Sequence, residues 1–208
     1  MKKRRKSSEQ KALEIFQSKG GILRTSEALE AGIHPRTLYQ LRDRNAIEQI
    51  TRGLYGIAGL PEVSDPDLVI AAKKVPNGII CLISALYFHR LTSQIPHCVH
   101  IAIPQHIKAP KVDYPPMRFY WFSEKTWNAG IEEHEIGTTL VRCYSKEKTI
   151  IDCFKHREKI GIEVGIEALR NYWEKGQANL NEINKYAKIS KVDKILNPYL
   201  EAIINEQS

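Results

Sequence analysis

The chain has 208 residues, 42% of them hydrophobic and 26% charged, with a formal net charge of +7. This is an ordinary globular composition, large enough for one sizeable domain or two small ones. No apolar run approaches the roughly 20 residues of a membrane span. The basic start, MKKRRKSSEQ, has no apolar segment behind it to act as a secretory signal. A cytoplasmic location without a membrane partner is therefore expected.

The placement of the charge is more telling than its size. Residues 1–60 hold 12 Lys+Arg against 6 Asp+Glu, whereas residues 61–208 hold 19 against 18. Nearly all the excess positive charge sits on the first segment, as expected of a surface that meets phosphates.

Taken in chain order, the run Lys2–Lys6 is a basic tail. Its Lys3, Arg4 and Arg5 can lie along phosphates or enter a minor groove, with a plain solvated tail as the equal alternative. Residues 9–19 form an amphipathic helix whose apolar face is Ala12, Leu13, Ile15 and Phe16, stopped by Gly20-Gly21. Ile22 and Leu23 can add a short strand.

Residues 20–57, GGILRTSEALEAGIHPRTLYQLRDRNAIEQITRGLYGI, organise the rest. Thr25 or Ser26 can cap a short helix that Gly32 ends through its tolerance of positive φ. His34-Pro35 opens a second helix, with proline at the first turn, and Asn45 closes it. Two apolar runs, 47–50 and 54–57, flank Thr51-Arg52-Gly53 and read as a hairpin. Helix, turn, helix and hairpin make a winged helix-turn-helix, whose second helix enters a DNA major groove. On that helix Leu38, Leu41 and Asn45 fall on one side. Arg36, Thr37, Tyr39, Gln40, Asp43 and Arg44 fall on the other. Arg, Thr and Gln can read base edges, while Arg and Tyr hold phosphates. Arg36, Thr37, Tyr39, Gln40, Arg44 and, at the wing tip, Arg52 are the expected DNA contacts. A small helical domain with a solvated polar face is the plainer alternative; the turn signals and localised charge favour DNA.

The stretch 59–66, with two prolines and a glycine, is the expected boundary, giving domains 1–60 and 61–208. Beyond it a helix is expected at 67–75. Residues 79–83 fit either a strand or a buried helix start. A helix at 84–91 and strands at 99–103 and 118–122 follow. Trp127 falls on a short helix or turn, and a hairpin at 131–136 and 139–144 turns at Gly137. Ser145 caps a helix that stops near Gly161, and helices follow at 162–175, 180–187 and 192–204, the last kinked or broken at Asn197-Pro198. The second domain is thus a small sheet flanked by helices, and the whole chain is α+β.

No catalytic signature emerges. The D/E-x-K of a metal-dependent nuclease occurs only as Glu9-Gln10-Lys11, on the first helix. Asp65-Pro66-Asp67 has no preceding Gly-Ser turn and reads as a helix cap. The glycine patterns of nucleotide cradles are missing. His89, His97, His100 and His106, with Cys98 among them, lack the compact paired spacing of a zinc site. Cys81, Cys98, Cys143 and Cys153 have irregular spacings and read as reduced, mostly buried thiols. No catalytic residue, metal or cofactor is expected. A nucleic-acid-processing enzyme with a winged targeting domain remains the alternative reading.

Three stretches resemble the AbiEi family of bacterial abortive-infection antitoxins of the type IV class and their solitary relatives. They are the winged segment, Ser84-Ala85-Leu86 through Leu91-Thr92 (S-A-L…H-x-L-T, with Arg90 where glycine is frequent), and residues 144–154, YSKEKTIIDCF. The resemblance implies a DNA-binding transcriptional regulator that binds operator DNA at inverted repeats and represses its own operon. It implies a second domain that counters a nucleotidyltransferase-like toxin. Glu147, Lys148, Thr149 and Asp152 fall on the matched helix, where an i,i+4 pair is more consistent with structure than with a working site.

Overall fold

The structure is a computed structural model that describes residues 7–59, 65–137, 139–176 and 178–206. It is α+β, and it divides into two compact units, residues 1–74 with 135–140 and residues 75–134 with 141–208. The boundary expected at 60/61 lies outside the described residues.

The first unit begins with α1 (Ser8–Ser18), opened by a reciprocal cap between Ser7 and Gln10. Then come β1 (Ile22–Arg24), α2 (Thr25–Glu30), α3 (Pro35–Asp43), β2 (Ile47–Thr51), β3 (Leu54–Ile57) and α4 (Pro66–Lys74). The three strands form an antiparallel sheet in the order β1-β3-β2. Helix α2 starts one residue earlier than its Thr/Ser signal suggests: Arg24 is the cap position, and its N–H donates to the Glu27 carboxylate at 2.9 Å. Phe16, Leu23, Ala28, Ile33, Leu38, Leu41, Ile47 and Tyr55 share one buried cluster, so every element from α1 to β3 contributes to it.

The second unit holds β4 (Ile79–Ile80), α5 (Leu82–Phe88), β5 (Val99–Pro104), β6 (Met117–Phe122), α6 (Glu124–Trp127) and most of β7 (Ile131–Ile136) and β8 (Thr139–Tyr144). After them come α7 (Lys146–Lys155), α8 (Arg157–Ile160), α9 (Ile162–Glu174), α10 (Leu180–Ser190) and α11 (Asp193–Glu206). The sheet order is β6-β5-β4-β8-β7, with β4 antiparallel to β5 but parallel to β8, and β5 parallel to β6. The ambiguous run at 79–83 resolves into both readings: Ile79-Ile80 is a strand and Leu82 already lies on the next helix. The helix expected to reach Gly161 breaks at His156. No break occurs at Pro198, through which α11 runs. All four cysteines are free, with Cys81, Cys143 and Cys153 buried.

Candidate nucleic-acid interface

The candidate surface is built on α3. Gly32, at φ +89°, turns the chain after α2. The His34 ring then caps α3 by accepting the Arg36 N–H through Nδ1 at 3.2 Å, and Pro35 takes the first helical position. Asn45, at φ +54°, carries the chain out of the helix and into β2. Each turn residue thus fixes how α3 is presented.

The helix is anchored through Thr37, Leu38 and Leu41, all buried. Two residues thus lie on other sides of the helix than expected. Thr37 is only 8% exposed. It lies one helical turn before Leu41, on the buried row. Asn45, expected on the inner side, is exposed. Arg36 and Tyr39 are exposed and Gln40 is half-buried, so these three form the outward row.

The charged groups further along α3 are already engaged. Arg42 donates to the Asp43 carboxylate at 2.7 Å and lies 5.1 Å from the Tyr39 ring centroid. The Asp43 bond is the main reason the Arg42 pKa is raised. Arg44 donates to Glu9 on α1 at 2.8 Å while its side chain stays 69% exposed. A largely exposed pair of this kind is worth little. Arg52 is exposed in the turn between β2 and β3. The same turn is braced by the Lys74 ammonium, which donates to Thr51 Oγ1 at 2.9 Å and to the Arg52 carbonyl at 3.1 Å. Lys3, Arg4 and Arg5 lie outside the described residues.

In the second unit, the two quoted motifs are consumed by the fold. Ser84 Oγ accepts the His100 N–H and also contacts the Cys98 carbonyl and the His100 ring. Thr92 and Ser93 hold Glu167 on α9. Arg90 adopts φ +57°, which explains why glycine suits that position. In the third stretch Ser145 caps α7, Glu147 accepts the Tyr172 hydroxyl at 2.5 Å, and Thr149 donates to the Tyr144 carbonyl. Lys148 and Asp152 form a buried ion pair. These side chains hold helices together.

Sequence reasoning missed one grouping. His89, at the end of α5, lies beside Glu132 and His134 of β7, with one ligand-type atom from each within 4.8 Å of the others. The two β7 residues are two apart on a strand and so share a face. That local signal was available; the third member is 43 positions away and was not.

None of the described helices is long and apolar enough to cross a membrane. No curated protein matches the sequence. The fold is similar to that in the crystal structure of the RV2827C protein from Mycobacterium tuberculosis, with a TM-score of 0.60 over 97% of this chain and 79% of that one. Identity is 11%, so the likeness concerns the fold alone. The second and third stretches of resemblance lie outside the family match, which falls on the elements from α1 to β3: residues 10–58 match the family described as "Transcriptional regulator, AbiEi antitoxin".

Proposed function

We propose that the first unit is a winged helix-turn-helix that binds double-stranded DNA, with α3 in the major groove and the β2–β3 turn as the wing. The observation that carries this reading is the two-sidedness of α3. Thr37, Leu38 and Leu41 root it in the core, and Arg36, Tyr39 and Gln40 form a row facing away from that core. The helix and sheet order and the family match at residues 10–58 support it. Arg36 and Gln40 read base edges; Tyr39, Arg44, Arg52 and the basic tail hold phosphates.

The chain acts as a cytoplasmic, non-enzymatic transcriptional regulator of the antitoxin type. It represses its own operon and counters a nucleotidyltransferase-like toxin. Two experiments test these parts separately. Fluorescence anisotropy with the DNA upstream of its own gene should give sequence-selective, salt-dependent binding by the full chain; no preference over scrambled DNA would refute the regulator. Co-expression with a neighbouring nucleotidyltransferase should restore growth; continued arrest would refute the antitoxin role while leaving DNA binding intact.

A further inference from the structure

His89, Glu132 and His134 come from two elements of the second unit and meet beside the Phe88 ring. Glu132 Oε2 and His134 Nε2 lie 3.2 Å apart. Two ligands bound to one tetrahedral metal at about 2.0–2.2 Å each stand about 3.4 Å from one another, so this pair is already at the spacing a metal imposes. The His89 and His134 rings have centroids 5.9 Å apart and planes 71° apart. The Phe88 ring packs edge-on against both, at 4.8 Å from His134 and 5.3 Å from His89. Both imidazoles are thus held in place before any ion arrives.

The His89 ring is also tied to the backbone, as metal-bound histidines are. Its Nε2 lies 2.7 Å from the Tyr144 carbonyl oxygen, which can only accept. The neutral ring therefore carries its proton on Nε2 and keeps a lone pair on Nδ1. A histidine that donates its other N–H to a backbone carbonyl is oriented for ligation.

We propose that His89, Glu132 and His134 form a site for one divalent transition-metal ion, Zn²⁺ foremost, with water completing the coordination. Two imidazoles and one carboxylate suit Zn²⁺, Co²⁺ or Ni²⁺; Mg²⁺ and Ca²⁺ favour all-oxygen sets. The ion ties the end of α5 to β7 at one edge of the five-stranded sheet. The site is independent of the DNA-binding reading, since all three ligands lie outside residues 10–58.

The test uses the untagged, reduced full chain, titrated with ZnCl₂ by calorimetry and with CoCl₂ by visible absorption. One Zn²⁺ per chain is expected, with d–d bands on cobalt addition and no competition from millimolar Mg²⁺. Glu132→Gln and His134→Gln should each weaken Zn²⁺ binding on the order of tenfold or more. His97→Gln and His106→Gln, at exposed positions elsewhere, should leave it unchanged. Glu132 is exposed, so its variant keeps the fold if His134→Gln does not. No saturable Zn²⁺ binding, or binding unaffected by Glu132→Gln, would overturn the proposal and leave a simple His–Glu hydrogen bond.

Discussion

The Lys148 ammonium lies 2.5 Å from both carboxylate oxygens of Asp152, one turn further along α7, with side-chain exposures of 0% and 1%. The Tyr144 and Phe122 rings complete its surroundings, with centroids 4.3 and 4.9 Å from the ammonium nitrogen. Burial raises the Asp152 pKa, and Lys148 opposes that shift. The pair is interdependent: each charge is tolerated only because the other is present. Lys148→Met should cost about 3–5 kcal/mol at neutral pH, because it leaves a buried carboxylate unpaired. The double variant Lys148→Met/Asp152→Leu should recover most of that loss. Urea denaturation followed by circular dichroism measures both. A double variant as unstable as the single one would show that the two charges do not offset one another.

Acid should weaken the second unit through His100. Burial, then the Arg118 charge, lowers its pKa from 6.5 to about 4. Burial and nearby lysines lower His156 similarly, to about 4. A lowered folded-state pKa means that the unfolded chain binds more protons between pH 4 and 6.5, so stability is present above pH 6.5 and is lost as pH falls. For His100, only 5% exposed, the loss by pH 4 should be on the order of 2–3 kcal/mol. His100→Gln should flatten this part of the stability–pH curve. An unchanged slope in the variant would remove His100 from the account.

The turn before α3 gives a backbone test. Gly32 sits at φ +89°, and a Cβ added there meets nothing within 4 Å. Gly32→Ala should therefore destabilise by about 1–2 kcal/mol through backbone strain alone. Gly32→Asn should cost less, since asparagine tolerates left-handed geometry better. Equal melting temperatures for the wild type and Gly32→Ala would show that the turn relaxes at no cost.

Much of the first unit was legible because its signals are local. Gly32, Pro35, Asn45 and Gly53 each mark a turn within a few residues of where it occurs. Spacing from Leu38 alone sets Thr37 on the outward side, although it also lies four residues before Leu41, on the buried row. The hairpin at Gly137 was readable, whereas the insertion of β4 between β5 and β8 was not. Strand order depends on pairings far apart in sequence, Ile79 with Ala102 and Ile80 with Cys143, which alternation cannot report. The same limit hid the meeting of His89 with Glu132 and His134. Pro198 misled for a different reason: proline lowers the chance of a helix, but packing of Leu196, Leu200 and Ile203 into the core carries α11 through it.

The outward residues of the first unit divide by role, and binding data should separate them. If Arg52 holds a phosphate as proposed, Arg52→Ala should weaken binding to all sequences alike and reduce the salt slope by about 1. Thr37→Ser, a change beneath the helix, should leave base preference unaltered. A loss of sequence selectivity in Arg52→Ala would place the turn at the bases instead.

The most direct test of the central claim compares the wild type with Arg36→Ala/Gln40→Ala, measuring affinity for the upstream DNA and for a scrambled duplex across a salt series. Removal of two base contacts should cost roughly 1–3 kcal/mol each on the upstream site and little on the scrambled one, with the salt slope largely kept. If the double variant discriminates between the two duplexes as well as the wild type does, α3 is not the reading helix.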